Sequence, residues 1–311
     1  MRALAVADFG GPDVLELREV PAPSPGPGQV QVRVAASSVN PIDLSTRSGA
    51  LVEAGLVAPR PVLGIGWDVA GEVSATGPGV RAFSAGQRVV GLRDLLFAFP
   101  GAHAEYVLLD EGALAPSPGS WSTIEAATLP LNVLTADRAL ALCGLEAGST
   151  LLVTGALGGV GGFVLELTRG LDVSVIALGG SGDADVAAQL GAKRFLTRTA
   201  NVGAAVRELV PGGVDAVIDC ARLGIQAHEA LRGGGTFVSL VRPFAPPPIR
   251  ATNVVVVEVH ADGARLRELA AIAEQGHLTP RVAATYPIEQ ASEAHARLEA
   301  GGLRGRVVLT L

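Results

Sequence analysis

Cysteine is scarce: Cys143 and Cys220 are the only two in 311 residues. Two distant thiols build neither a disulfide framework nor a four-cysteine zinc site, and both read as small buried apolar residues. The five histidines, at 103, 228, 260, 277 and 295, show no metal-ligand spacing. Lysine is scarcer still, with Lys193 alone. Schiff-base chemistry would rest on that residue, which stands in LGAKRFL between a helix pattern and a strand pattern and reads as a solvated loop charge. Excess positive charge is missing as well. A net charge of -6, with arginines scattered among more numerous carboxylates, excludes a duplex-binding surface and hence a nucleic-acid partner. No apolar run reaches the ~18 residues that span a bilayer. The opening MRALAVADFGG lacks the basic, apolar and cleavage segments of a signal peptide, so the expectation is a cytoplasmic protein away from the membrane.

Glycine, by contrast, is abundant at 40 residues. In VTGALGGVGG, residues 153–162, the pattern G-x-x-G-x-x-G falls on Gly155, Gly158 and Gly161. In so glycine-rich a chain the pattern alone arises by chance about once, so its context decides. An apolar strand pattern, TLLV, runs into the glycines, and a 3.6-residue periodicity follows them, which opens a helix at the loop. Glycines let backbone approach an anion without Cβ clashes, and first-turn N–H groups with the helix dipole favour negative charge. The stretch therefore reads as a pyrophosphate cradle, with a plain tight turn as the alternative.

Texture divides the chain. Up to about residue 124, short β-rich runs (QVQVRVAASSV, VAGEVSAT, QRVVGL, AEYVLLD) alternate with proline and glycine clusters, as in an antiparallel barrel-like domain. From 125 to 260, TLLVTG, VSVIALG, RFLTR, GVDAVIDC and GTFVSL alternate with helical patterns at 158–170, 183–190, 202–210 and 223–231, the βαβ signature of a parallel sheet. VSVIAL and VVVVEV read as strands buried on both faces. A helix pattern, GARLRELAAIAEQG, then leads to GRVVLTL, a strand expected to return to the first domain, so that 261–311 completes it. No internal repeat is evident.

Separated motifs agree on one family. SVNPIDLSTRSG, LGIGWDVAGEV, GVRAFSAGQRVVG, HAEYVLL, AATLPLNVLTA, VTGALGGVG, QLGAKRFL, GVDAVIDC and LRGRVVL together resemble the zinc-independent quinone oxidoreductase branch of the medium-chain dehydrogenase/reductase superfamily, along essentially the whole chain. The resemblance implies an α/β protein: a GroES-like β-barrel substrate domain and a Rossmann domain with a doubly wound parallel sheet, with hydride transfer in the cleft between them. Zinc-dependent relatives carry a cysteine where this chain has Asn40 and a His-Glu pair where it has Trp67 and Asp68, so no metal is expected. Without a Lewis acid, the acceptor must delocalise its own charge, as a quinone or enone does.

The resemblance also assigns residues. Leu157, Gly158, Gly159 and Val160 offer N–H groups to the pyrophosphate, within the loop of Gly155 and Gly161. Asn40 falls beside the nicotinamide and acceptor, with an Asx turn before Pro41 as the alternative. Thr135 matches a nicotinamide-side threonine, against a helix-interior threonine bonding its own backbone. Arg47 and Trp67 line the substrate pocket, Trp67 alternatively as apolar filler. Ser45 stands where many relatives have a tyrosine, which leaves Ser45 or solvent as proton donor and weakens an enoyl-thioester reductase reading.

The end of the second parallel strand chooses the nucleotide. Gly180 and Ser181, after Gly179, leave room for a 2′-phosphate, and Arg198 can pair with it. Asp183, where NADP-using relatives of the resembled family often have a basic residue, argues the other way, with an N-cap of the following helix as the alternative. NADPH is favoured over NADH. An edge strand in NVVVVEV suggests a homodimer. A non-catalytic NADPH-binding redox sensor stays open, because fold alone does not establish function.

Overall fold

A computed structural model describes residues 1–96 and 98–311. The chain divides into two compact units, Met1–Leu131 with His260–Leu311, and Asn132–Val259. Texture had put the first boundary at 124. The difference lies in the short helix Thr123–Ala126, whose Ser122 side chain caps the backbone N–H of Glu125. That helix packs on the strands Gln29–Val39 and Asp68–Thr76 of the first unit.

In the first unit the eleven-residue strand Gln29–Val39 is the organiser. One of its edges carries Asp68–Thr76, antiparallel. The other is shared: Tyr106–Asp110 pairs with residues 29–33, and the closing strand Arg306–Thr310 with residues 36–39. Register shifts after Gln31 and Val34 bend the strand, as bulges do. Arg88–Leu92 and Leu114–Pro116 extend one side, and Val282–Pro287 the other. A smaller sheet, Leu15–Glu19, Arg2–Val6 and Leu63–Gly64, is antiparallel throughout. Alternate residues of the long strand, Val30, Val32 and Val34, point into a core shared with Val69, Val73, Val89 and Val107. Two-residue periodicity in QVQVRV thus becomes one buried face.

The second unit holds six parallel strands in the order Arg194–Thr197, Val173–Gly179, Ser149–Thr154, Val214–Asp219, Leu231–Ser239, Asn253–Val256. In sequence numbers this is 3-2-1-4-5-6, the doubly wound order whose direction reverses between the first and fourth strands. Its core joins Leu152, Ile176, Val206, Val217 and Phe237. Val173–Gly179 is buried as its apolar run predicts. The valine run is different: Asn253–Val256 is the terminal strand, half-exposed along its length, and ends before the expected 259. The helical pattern at 223–231 is also shorter, Ile225–His228, because the next strand already begins at Leu231.

Candidate active site

The glycine loop follows the first parallel strand directly and opens the nine-residue helix Gly159–Leu167. Gly155 has φ of +58°, which a side chain would strain, and a Cβ there would stand 3.3 Å from the Cys220 backbone and 3.4 Å from Ala221. A Cβ on Gly161 would stand 2.5 Å from the Gly155 carbonyl oxygen, so glycine is what lets helix and loop close on each other. The loop N–H groups are not all equal. Gly158 N–H donates to the Gly155 carbonyl at 2.9 Å, which removes it from the set expected to face a pyrophosphate. Leu157, Gly159 and Val160 donate to no acceptor among the described residues. Three free donors at a helix N-terminus, at the carboxyl end of a parallel strand, fit a dinucleotide's diphosphate.

At the end of the second strand, a Cβ on Gly179 would lie 3.0 Å from both the Asp183 carboxylate and the Phe195 ring. Asp183 does not cap its helix through its side chain. Its Oδ2 instead accepts the Gly180 N–H at 2.7 Å, which ties the carboxylate to its own turn. Ser181 and Arg198 are exposed, and Arg198 N–H holds the Gly179 carbonyl at 2.8 Å.

Thr154 and Asp219, a pair that no local sequence pattern singles out, shape the same edge. Asp219, 1% exposed, closes the fourth strand. Its Oδ1 receives the Thr154 hydroxyl at 2.6 Å and the Leu223 N–H at 3.1 Å, its Oδ2 the Gly224 N–H at 2.8 Å. Thr154 Oγ1 in turn accepts the Ala221 N–H at 3.0 Å. VDAVIDC signals Asp219 alone: a carboxylate ending an apolar strand needs partners.

On the barrel unit, Asn40 is fully buried. Its Nδ2 donates to Asp68 Oδ2 at 2.7 Å and to Ser38 Oγ at 3.1 Å. Both hydrogens are committed, so Asn40 has none left to orient a substrate carbonyl. Its Oδ1 has no partner, so it makes no Asx turn either. Asp68, also fully buried, accepts the Leu131 N–H at 2.7 Å and the Ser38 hydroxyl. Asp43 accepts the N–H of Asn40 at 2.7 Å and of Gly66 at 2.9 Å. Burial pushes the Asp43 carboxyl up to about 7 against the pull of those two bonds, and burial raises Asp68 as well. The spacing N-P-I-D at a helix start carries the signal for Asp43; nothing local marks Asp68 as a hub.

The remaining candidates scatter. Ser45 is half-buried, with its hydroxyl on the Pro41 carbonyl at 3.1 Å. Arg47, 2% exposed, is not free to line a pocket: its guanidinium meets the Gly10 carbonyl at 3.2 Å, His295 Nδ1 at 3.4 Å and the Glu299 carboxylate. Trp67 is half-buried, and its carbonyl takes the Arg93 N–H. Thr135 is 8% exposed in the helix Pro130–Cys143, in the other unit.

These side chains do not suit a metal ion. Among the described residues no three His, Cys, Asp or Glu side chains come together, and both oxygens of Asp68 already hold hydrogen bonds.

Two family models match the chain: the alcohol dehydrogenase GroES-like domain over residues 26–119 and the zinc-binding dehydrogenase over 190–309. A quinone oxidoreductase of Lama guanicoe is 31% identical, covering 100% of this chain and 98% of the relative. The chain belongs to the quinone oxidoreductase branch of the medium-chain dehydrogenase/reductases. It is an α/β oxidoreductase with a GroES-like barrel and a Rossmann sheet. A 2-methylene-furan-3-one reductase of Solanum lycopersicum is 30% identical, over 99% of this chain and 79% of the relative. A mycobacterial protein solved in complex with NADPH superposes with a TM-score of 0.83 at 30% identity, covering 100% of both chains. Among the described residues, no helix is long and apolar enough to cross a membrane.

Proposed function

We propose that this oxidoreductase reduces quinones or activated enones with NADPH and uses no metal. The observation that carries the reading is the set of free N–H groups on Leu157, Gly159 and Val160, at the switch point of a doubly wound sheet. When bound, NADPH supplies the hydride, from C4 of its dihydronicotinamide. The three N–H groups and the dipole of Gly159–Leu167 hold the diphosphate, and Gly155 and Gly161 let the backbone come close to it. Gly180 and Ser181 leave room for the 2′-phosphate, with Arg198 as its cation.

On the barrel unit, Ser45 is the candidate proton donor: its single hydroxyl hydrogen is given to the Pro41 carbonyl, and the half-buried hydroxyl must rotate away from it to donate to an acceptor. Trp67 presents an apolar face to the acceptor, and Thr135 a hydroxyl to the nicotinamide side. Asn40 acts by holding the side chains of Asp68 and Ser38 in place; its committed amide nitrogen does not stabilise an oxyanion. A donor set unsuited to metal selects acceptors that spread their own negative charge. Relatives named for quinone and for methylene-furanone reduction support that class. The half-exposed strand Asn253–Val256 supports a homodimer built by pairing this edge with its symmetry mate.

Stopped-flow oxidation of NADPH with a panel of quinones and enones tests the reading. Turnover with a quinone and none with a simple ketone is the expected result. Tight NADPH binding without turnover on any acceptor would turn it into the redox-sensor reading.

A further inference from the structure

Left-handed backbone is unfavourable for a side-chain-bearing residue by about 1–3 kcal/mol. Among the described residues three non-glycines adopt it: Arg222 at φ of 59°, Arg250 at 56° and Ala251 at 55°. The last two have local reasons. Arg250 gives its carbonyl to the Gly234 N–H at 3.1 Å and its guanidinium to the His228 carbonyl at 3.1 Å, just before the terminal strand. They fasten a turn at the amino end of the sheet.

Arg222 lies at the other end. It is exposed and forms no ion pair among the described residues. Its guanidinium carbon sits 5.6 Å from the centroid of the Phe244 ring, itself 41% exposed. The strain is imposed from below. Asp219 grips the N–H groups of Leu223 and Gly224 on one side of it, and Thr154 grips Ala221 on the other. Gly224, at φ of 54°, packs so closely that a Cβ there would meet the Phe244 carbonyl at 2.9 Å. This crest belongs to the fourth strand, which pairs with the first, and its Ala221 N–H binds the hydroxyl of Thr154, the residue directly before Gly155 of the glycine loop. A buried carboxylate, a hydroxyl and two glycines thus converge to hold one unpaired cation on an aromatic ring, beside the loop that offers free N–H groups.

Resting on the dinucleotide reading above, we propose that Arg222 is a cofactor-binding residue, a cation held at the switch point for a phosphate group of the pyridine nucleotide. The phosphate has two sources, the diphosphate and the adenosine 2′-phosphate, and nucleotide choice separates them. An aromatic platform fixes the guanidinium and spares it part of the ordering loss on binding. Only Arg198 and Arg222 are offered to phosphate by this reading, from the third and fourth strands respectively.

The variant Arg222→Gly is the direct test, since glycine accepts φ of 59° without strain, which offsets its greater unfolded-state freedom and the lost contact with Phe244. Calorimetric titration of wild type and variant with NADPH and NADH, alongside thermal melts without nucleotide, gives the readouts. The melting temperature is expected to hold, while NADPH affinity falls about tenfold, the scale of one charge-assisted contact. Loss confined to NADPH assigns the 2′-phosphate; equal loss for both nucleotides assigns the diphosphate. Arg222→Lys, which keeps the charge but not the planar fork, should fall between. Affinities within twofold of wild type for both nucleotides in Arg222→Gly would overturn the proposal while leaving the glycine loop intact. A wild-type protein that binds neither nucleotide would overturn the glycine-loop reading itself, and this one with it.

Discussion

Asn40 gives its amide to Asp68: Nδ2 lies 2.7 Å from Asp68 Oδ2, and the Ser38 hydroxyl reaches the same oxygen. The other oxygen takes the Leu131 N–H at 2.7 Å. One buried carboxylate therefore satisfies three donors from two segments, residues 38–40 and Leu131. Asp68→Ala would strand all of them in a dry interior, and we expect a loss of about 3–5 kcal/mol in urea denaturation. Asn40→Ala leaves Asp68 with two partners and should lose roughly half as much. Equal, small losses from both would mean that water already reaches these groups.

Arg47 was expected to face substrate, and its surroundings predict otherwise. Its guanidinium joins the loop at Gly10 to the helix Ala291–Glu299 through His295 and Glu299. A lysine amine cannot keep the forked geometry. Arg47→Lys is expected to destabilise the protein by about 2 kcal/mol, with KM for NADPH and for quinone unchanged within experimental scatter. A raised quinone KM at full stability would return Arg47 to the pocket.

His295 gives a pH-dependent signature. Burial, with the neighbouring His103 and Arg47 adding to it, depresses His295 to about 2, and burial takes His103 down to about 4, from 6.5. Both rings are neutral in the folded protein, so the unfolded chain binds more protons below pH 6.5. Their stabilisation is complete above that value and is lost as pH falls towards the folded ones. For one ring the loss between pH 7 and pH 5 is about 2 kcal/mol. His295→Gln removes one titrating ring, so the stability gap between wild type and variant should narrow by about that amount over the same interval. The buried Asp43 pulls the other way in both proteins and cancels in the difference. A gap that stays constant from pH 7 to pH 5 would show that His295 is protonated while folded.

Much of this architecture is written locally. The alternation in QVQVRVAASSV gives the strand Gln29–Val39, and the unbroken VSVIALG gives a strand buried on both faces. The glycine loop is legible because strand, turn and helix are consecutive and need nothing from elsewhere. The polar hub is not legible in this way. Asp68 meets Asn40 across 28 residues and Leu131 across 63, and Thr154 meets Asp219 across 65. No periodicity reports on contacts that only the folded sheet creates. Arg47 misled for a related reason: an arginine on a short helix near the site reads as accessible until the helix Ala291–Glu299 is packed against it. The valine run 254–257 also looked doubly buried, because composition does not distinguish an inner strand from the last one.

Gly161 and Gly158 separate the loop's two demands on glycine. A Cβ on Gly161 would stand 2.5 Å from the Gly155 oxygen and 2.8 Å from Ala156 Cα, both backbone atoms that cannot swing away. At Gly158 the single close contact is 3.2 Å, and its φ of -73° suits any residue. Gly161→Ala must push the helix off the loop, so the N–H groups of Leu157, Gly159 and Val160 would no longer converge. NADPH affinity should fall about tenfold or more, together with the melting temperature. Gly158→Ala needs only a few tenths of an ångström from its neighbour, and its N–H is already spent on Gly155. Its affinity should stay within about threefold of wild type, roughly 0.6 kcal/mol. Fluorescence titration of both variants decides the matter: if they bind NADPH alike, the diphosphate is held somewhere other than this loop.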